Sequence, residues 1–168
     1  MYEAILGSAM KRAAFAVVLL IGVGSARADC DHFKWPLAQE KAWFAKTPEP
    51  IAAGGAIAKA SGAYELTLKP ESAAGYVVAP KTLTAGAYGA VLRADIAKAG
   101  LYQVTLSREA WVDVIQDGVR ARTRNVSRQR DCPSFKKSVR FLLAAGPAVI
   151  EFSAVTAPSL ALSLAAAP

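Results

Sequence analysis

Polar and apolar residues alternate along most of the chain after residue 62, and this period of two predicts β-strands. The alternation is clearest in four stretches that each begin with a small residue followed by a glycine. Glycine suits the end of a turn because it adopts positive φ values without a steric penalty. We therefore expect each stretch to leave a turn and to bury one face of a sheet. The predicted buried sets are Tyr64/Leu66/Leu68, Tyr88/Ala90/Leu92, Tyr102/Val104/Leu106 and Ala148/Ile150/Phe152.

Short strands are predicted one after another from residue 63 onward, separated by turn signals such as Asp117-Gly118. The predicted strands are 63–68, 75–79, 87–94, 101–106, 111–115, 119–123, 137–143, 148–153 and 159–164. No helical pattern of ten residues lies between them, which disfavours a parallel sheet. The pattern predicts an all-β fold, an antiparallel β-sandwich of jelly-roll-like type, with residues 99–118 as a central β-hairpin.

The stretch before residue 63 has a different pattern. Phe33, Leu37 and Phe44 recur at near-helical spacing, which predicts one short helix over about 36–45, packed on one end or face of the sheet. Residues 47–62 are rich in proline, alanine and glycine, and they predict an extended linker with at most one short strand.

The first 28 residues have the pattern of a cleavable secretory signal peptide. Lys11 and Arg12 precede an apolar run at 13–23, and small residues at positions 26 and 28 fit a cleavage site after Ala28. The apolar run is shorter than the ~20 residues that span a bilayer. We therefore expect a periplasmic or secreted product without a transmembrane segment after cleavage.

The predicted organisation thus has three parts. Residues 1–28 form the signal peptide, 29–62 an N-terminal segment with the helix and linker, and 63–168 the β-sandwich. Residues 29–168 together are expected to form one mature domain, long enough to bury a core of its own.

The chain has two cysteines, Cys30 and Cys132. An even pair in an exported protein predicts a disulfide, here closing a loop of roughly 100 residues. A redox-active or metal-binding thiol would need a Cys-x-x-Cys pair or several nearby histidines, and the sequence has no such pair and a single histidine.

Trp111 and Asp113 alternate with Val112 and Val114 along one predicted strand. If the valines are buried, the tryptophan and the carboxylate lie on the other face, where the ring could stack on a sugar and the carboxylate could accept hydroxyl hydrogen bonds. The alternative is that the N-terminal helix covers this face and buries Trp111 as a core residue.

A basic segment spans 120–140 in a chain whose net charge is +7. The residues proposed to bind a ligand there are Arg120, Arg122, Arg124, Arg128 and Arg130. The first three have strand spacing and could align on one face, where guanidinium groups attract anionic polymers. In an exported protein we expect an anionic envelope glycan or lipid head groups as partner. Nucleic acid is not expected, because no aromatic residues are interleaved to stack on bases. The alternative is a solvated loop that keeps the protein soluble.

Motifs for catalysis are weak. There is no Gly-x-Ser-x-Gly elbow and no glycine-rich phosphate loop, and His32 is the only histidine. His32 lies beside Asp29 and Asp31, but a transition-metal site requires two or three nitrogen or sulfur ligands. We therefore predict no catalytic residue, no metal site and no cofactor.

Several motifs in order along the chain resemble a group of small exported proteobacterial proteins. They are Gly-x-Tyr-x-Val-x-Leu-Ser at 100–107, Trp-Val-Asp-Val at 111–114, Cys-Pro at 132–133 and Lys-Lys-x-Val-x-Phe at 136–141, after DCDHFKWPLAQEKAWF. Some proteins of this group are labelled homogentisate dioxygenase. That activity would need a site of two histidines and one carboxylate, which a chain with His32 alone does not supply. The Gly-x-Tyr strands are also similar to pre-peptidase C-terminal β-sandwich modules, a resemblance that implies only the fold.

These patterns favour a non-catalytic binding or interaction module of the cell envelope. The first alternative is a small periplasmic enzyme, a hydrolase or a metal-dependent oxygenase, using Asp113, Asp117 or His32. The second is a proteinaceous inhibitor of envelope-attacking enzymes. Such an inhibitor would work against charge when its target is basic, as lysozyme is.

Overall fold

The computed structural model describes residues 30–168, which contain one short helix and twelve strands. The helix, α1, runs from Ala38 to Phe44, and one turn of 3₁₀ helix spans Glu71–Ala73. The strands are β1 (Glu49–Ala52), β2 (Ala56–Ile57), β3 (Ser61–Thr67), β4 (Lys69–Pro70), β5 (Tyr88–Ile96), β6 (Gly100–Leu106), β7 (Trp111–Gln116), β8 (Val119–Arg120), β9 (Thr123–Arg128), β10 (Lys137–Leu143), β11 (Gly146–Val155) and β12 (Ser159–Ala166). The predicted signal peptide, 1–28, lies outside the described residues. Within residues 30–168, no helix is long and apolar enough to cross a membrane.

The strands form two sheets that enclose one apolar core. The first sheet has the order β1-β3-β12-β6-β10-β9. The second has the order β2-β5-β11-β7-β8, with β4 added beside β5. The residues predicted to face inward are buried, including Leu66, Leu92, Val104 and Ile150, and Tyr88 is half-buried at the margin.

Eight of the strands pair as in a jelly roll. In this arrangement the first strand pairs with the last, the second with the second-last, and so on to the two middle strands. β3 pairs with β12, β5 with β11, β6 with β10 and β7 with β8, and all four pairs are antiparallel. The predicted all-β sandwich of jelly-roll type is therefore confirmed. Two short edge pairs, β1 with β3 and β2 with β5, are parallel, so both sheets are mixed rather than purely antiparallel.

The predicted central hairpin is wrong. β6 belongs to the first sheet and β7 to the second, so residues 99–118 cross between the sheets and do not pair with each other. The hairpin lies one strand later, where β7 pairs with β8. Asp117 and Gly118 form its two-residue turn, and both have positive φ, 52° and 74°. Positive φ at both central residues is the geometry of a type I′ turn, which matches the twist of the strands.

Two other predicted strands differ from those observed. Residues 75–79 form no strand and belong to a loop. The predicted strand 119–123 is divided, because β8 ends at Arg120 in the second sheet and β9 begins at Thr123 in the first. In the linker, two short strands form where at most one was expected.

The outer face of the first sheet is covered by residues 30–44, which we call the N-terminal cover. The predicted helix is present within it as α1, one or two residues shorter at each end. The predicted disulfide is also confirmed, because Cys30 is bonded to Cys132 over a separation of 102 residues. A second apolar cluster lies here, outside the main core, formed by Phe33, Trp35, Leu37, Cys132 and Phe135.

The outer face of the second sheet is covered by residues 71–87, which we call the loop cover. Tyr76 in this loop donates a hydrogen bond to the carbonyl oxygen of Phe152, 3.1 Å away. Its hydroxyl occupies the space that a Cβ at Gly89 would fill, 1.9 Å from the ideal position of that atom. Glycine at position 89 thus lets the loop lie directly on the backbone of β5.

Candidate ligand-binding cleft

A cleft of about 310 Å³ opens where β9 ends and β7 and β10 begin. Its lining residues come from four parts of the chain: Glu109, Ala110, Trp111, Arg128, Arg130, Lys137 and Ala154. Three of them, Trp111, Arg128 and Arg130, were singled out from the sequence as ligand-binding candidates. The fold brings these three together.

Trp111 is 46 % exposed at the first position of β7. The predicted alternative, burial beneath the N-terminal helix, is wrong, because α1 lies on the first sheet and β7 belongs to the second. Val112 and Val114 are buried, as expected for the opposite face of this strand. The ring of Trp111 is therefore available as a surface in the cleft.

Lys137 is the first residue of β10 and is only 4 % exposed. Its Nζ donates a hydrogen bond to the carbonyl oxygen of Ala110 and lies 5.4 Å from the centroid of the Trp111 ring. Burial, and then the positive charge of Arg128, lower the pKa of Lys137 to about 8, against the opposing pull of Glu109 and Asp113. A desolvated ammonium group loses its proton more readily than an exposed one.

The arginines give the cleft an excess of positive charge. Arg128, on β9, places its Nε 3.4 Å from a carboxylate oxygen of Glu109, and both side chains remain about half exposed. Arg130 is exposed beyond the end of β9, and its carbonyl oxygen accepts a hydrogen bond from Nζ of Lys136 at 2.7 Å. One carboxylate thus faces three cationic side chains around the cleft.

Ala154 lines the cleft in a backbone conformation that few residues other than glycine adopt, with φ of 56°. It lies in an irregular part of β11, where the register with β5 shifts between Phe152 and Val155. The backbone N–H of Ala154 donates to Oε1 of Glu71 at 2.6 Å, which holds the bulge in place. Backbone in sparsely populated regions concentrates at ligand sites, where surrounding contacts maintain it.

Two of the predicted site residues hold the loop cover and do not line the cleft. Arg120 places its Nε 3.1 Å from a carboxylate oxygen of Asp113, and only about a fifth of each side chain is exposed. The same guanidinium group donates to the carbonyl oxygens of Val78 and Ala79. Asp113 and Arg120 therefore form a clamp on the loop, with most of each side chain occupied by contacts within the protein.

Arg122 and Arg124 lie outside the cleft. Both are exposed, Arg122 in the crossing between the sheets and Arg124 on the edge strand β9. Because β8 and β9 belong to different sheets, the expected alignment of residues 120, 122 and 124 on one strand face does not form.

The residues considered for catalysis are not brought together. His32 lies in the N-terminal cover over the first sheet, whereas Asp113 and Asp117 belong to the β7–β8 hairpin of the second. Among residues 30–168, no three histidine, cysteine, aspartate or glutamate side chains gather into a group that could hold a metal ion.

Lys137 and Glu109 complete the cleft and were missed as candidates. A signal for Lys137 was present in the sequence, because Val139, Phe141 and Leu143 follow it at a spacing of two. The same alternation that buries these three residues also turns Lys137 inward.

Comparison with known proteins gives no relative from which a function could be transferred. No family model matches the chain, and no curated protein matches it with significant similarity. The resemblance to exported proteobacterial proteins therefore stays a prediction, and the function has to be argued from the cleft.

Proposed function

We propose that this protein is an exported, non-catalytic binding module that takes an anionic glycan of the cell envelope in the cleft at Trp111. The observation that carries the proposal is the convergence of an exposed tryptophan with Arg128, Arg130 and Lys137 around one cavity. An acidic sugar presents an apolar ring face and a charged group, and the cleft offers a partner for each.

The cleft is complementary to both parts of an acidic sugar, its apolar ring face and its charged group. An indole ring offers a large rigid apolar surface at a small cost in conformational entropy. Guanidinium groups bind carboxylate, sulfate or phosphate oxygens through paired hydrogen bonds, and the excess of positive charge attracts an anionic chain over a distance. Lipid head groups with a sugar phosphate would offer the same chemistry.

Export is part of the proposal and rests on the predicted signal peptide. The disulfide is compatible with it, because disulfides persist in oxidising compartments and are rare in the cytosol.

The test is retention on heparin, lipopolysaccharide and peptidoglycan matrices along a salt gradient. The oxidised protein is compared with an Arg128→Ala/Arg130→Ala variant and with Trp111→Ala. An Arg122→Ala/Arg124→Ala variant is the matched control, since it removes the same charge outside the cleft. We expect the cleft variants to elute at clearly lower salt than this control.

Equal elution of the two double-arginine variants would overturn the proposal, because it would show that net charge and not the cleft determines retention. Flow-through of the unchanged protein at low salt on all three matrices would also overturn it, since contacts to a charged polymer are strongest there.

A further inference from the structure

We infer that Lys137 is a carbonyl-reactive amine, and that the cleft captures small aldehydes bearing a carboxylate or phosphate as a reversible imine. The inference concerns the same cleft and rests on the proposed function in one respect, that the arginines there hold the anionic group of a ligand. It adds a covalent step that glycan binding does not require.

The geometry places an amine inside a cavity of molecular size. Lys137 is almost fully buried, yet it lines a cleft of about 310 Å³ together with Arg128 and Arg130. A small oxo acid in this space could direct its charged end toward the arginines and its carbonyl carbon toward Nζ.

The fixed position of Nζ favours reaction further. Its hydrogen bond to the Ala110 carbonyl and its place over the Trp111 ring restrict a side chain that is flexible when exposed. A positioned nucleophile avoids much of the entropy cost of a bimolecular encounter. The carbonyl oxygen of Ala110 can continue to accept a hydrogen bond from Nζ during attack.

Imine formation needs no reagent besides the amine and the aldehyde. The neutral amine attacks the carbonyl carbon, and a proton moves from nitrogen to oxygen to give a carbinolamine. Loss of water then forms the C=N bond, and addition of water reverses the reaction. No oxidant or reductant takes part until a reducing agent is added experimentally.

Desolvation supports this chemistry because only the neutral amine attacks. With its pKa lowered to about 8, Lys137 has a far larger neutral fraction at pH 7 than an exposed lysine. Lysines that act through imines are activated in this way, by desolvation or by a neighbouring cation, and here Arg128 is that cation.

The test uses glyoxylate, the simplest aldehyde with a carboxylate, and sodium cyanoborohydride at pH 7 with the oxidised protein. Reduction converts an imine irreversibly into a carboxymethyl-lysine, which peptide mass spectrometry locates. We expect Lys137 to be labelled about tenfold or more faster than Lys136, its half-exposed neighbour. The labelling rate of Lys137 should rise most steeply near pH 8, whereas exposed lysines require a higher pH.

Two variants and a second aldehyde test the roles of the arginines and of Lys137. Arg128→Ala/Arg130→Ala should slow labelling at Lys137 with both aldehydes, because Arg128 lowers the pKa of the lysine, but by several fold more with glyoxylate than with uncharged glycolaldehyde. Lys137→Arg should lose the fast site, because a guanidinium group forms no imine under these conditions. The unchanged protein is measured in both experiments, so retention on the anionic matrices without fast labelling at Lys137 would overturn the covalent proposal alone.

Labelling spread evenly over exposed lysines such as Lys81 and Lys98, with Lys137 no faster, would overturn the inference and leave Lys137 as a structural residue. Fast labelling that is equal for glyoxylate and glycolaldehyde in every variant would overturn the part played by the arginines. Because the unchanged protein gives the main result, the inference stays falsifiable if a variant folds poorly.

Discussion

Both outer faces of the sandwich are covered by irregular chain, but the N-terminal cover and the loop cover are held by different chemistry. The N-terminal cover has its own apolar cluster and a covalent bond to the far side of that cluster. The loop cover exposes two large apolar side chains, Val77 and Leu83, and is held mainly by charged groups that bind its backbone.

The N-terminal cover behaves as a small second core. Phe135 is packed edge-on against Phe33 and Phe44, with ring centroids 5.4 and 5.7 Å apart. Beneath this cluster lies a buried polar layer, in which Gln103 on β6 donates to Glu40 and accepts from Nε of Arg140 at 3.1 Å. Burial lowers the pKa of Arg140, while the charge of Glu40 acts in the opposite direction.

The loop cover is held by a chain of charges that begins on β11. Glu151, almost fully buried, accepts the backbone N–H groups of Val77 and Val78 at 2.6 and 3.1 Å. Arg120 binds the next carbonyl oxygens and is held in turn by Asp113. Hydrogen bonds to charged groups are stronger than neutral ones, so a few of them can replace an apolar cluster.

The difference explains why one cover could be predicted and the other could not. Aromatic residues and a cysteine in one short stretch indicate a packed, cross-linked segment. A carboxylate that binds backbone amides 73 and 74 residues away leaves no periodic signal in the sequence. Mutations that remove either device should therefore release one cover and leave the other in place.

The largest effect is expected on removing the disulfide. Replacing Cys30 and Cys132 by serine frees a loop with a separation of 102 residues, and we expect the free energy of unfolding to fall by about 4 kcal/mol. Urea denaturation followed by fluorescence measures this loss, with the reduced unchanged protein as control.

Amide hydrogen exchange tests whether that loss is local. Under native conditions the amide of Lys34, which donates to the hydroxyl oxygen of Ser127, should lose protection in the serine variant, while the amides of Val77 and Val78 keep theirs. Equal loss in both covers would contradict the view that they are held independently.

The second-largest loss of stability is expected in the loop cover. Glu151→Ala removes the acceptor of two backbone N–H groups, and we expect a loss of about 3 kcal/mol with faster exchange at Val77 and Val78. Glu151→Gln is the matched control, since its amide oxygen can still accept, and its loss should be smaller. Faster exchange in the N-terminal cover instead would contradict the view that Glu151 holds the loop cover.

The fold could largely be predicted because the side-chain period of a strand is a local property. Alternation at Leu66, Val104 and Ile150 identified the buried faces without knowledge of any partner strand. The same locality explains the failure at 99–118, because a turn signal followed by alternation does not say whether the next strand pairs with the last one or crosses to the other sheet.

The site was predicted only in part for a related reason. Trp111, Arg128 and Arg130 were recognised by residue type, but their meeting depends on where β7 begins and β9 ends in the fold. The predicted strand at 75–79 is absent for a different reason. Their apolar run is typical of a strand, yet the backbone N–H groups of Val77 and Val78 are taken by the carboxylate of Glu151.

A smaller effect is expected where the loop cover touches β5. An alanine Cβ at position 89 would lie 1.9 Å from the Tyr76 hydroxyl and 2.8 Å from the Phe152 carbonyl oxygen, so Gly89→Ala should displace the tyrosine at a cost of about 2 kcal/mol. Gly62→Ala is the control, because nothing lies within 4 Å of its Cβ position. In a double-mutant cycle, Tyr76→Ala should absorb the part of this cost that comes from the tyrosine, and the 2.8 Å approach to the Phe152 carbonyl oxygen should account for the remainder.

The titration of Tyr76 offers an independent readout. Burial first, and then the charges of Glu71 and Glu151, raise its pKa above the ordinary tyrosine value. Once displaced by Gly89→Ala, the phenol should titrate near pH 10 like an exposed tyrosine. Alkaline absorbance titration that shows no additional tyrosine at this pH would mean that the side chain stays in place and β5 moves instead.

The smallest effect lies beneath the N-terminal cover. Trp35 donates from Nε1 to the hydroxyl of Ser138 at 3.3 Å, and the guanidinium carbon of Arg140 lies 4.4 Å from the centroid of its ring. Trp35→Phe keeps an aromatic ring but loses the hydrogen bond and weakens the cation–π contact, so we expect a loss of about 1 kcal/mol.

A double-mutant cycle of Trp35→Phe with Ser138→Ala separates the contribution of the hydrogen bond from that of the cation–π contact. The hydroxyl of Ser138 is also within 2.9 Å of that of Thr105, so its removal has a cost that is independent of Trp35. If the hydrogen bond matters, the two substitutions should be less costly together than the sum of each alone. Strict additivity would assign the whole loss to the ring and its contact with Arg140, so that Trp35 would hold the cover by packing and a cation–π contact, in contrast to the hydrogen-bonded clamp on the opposite face.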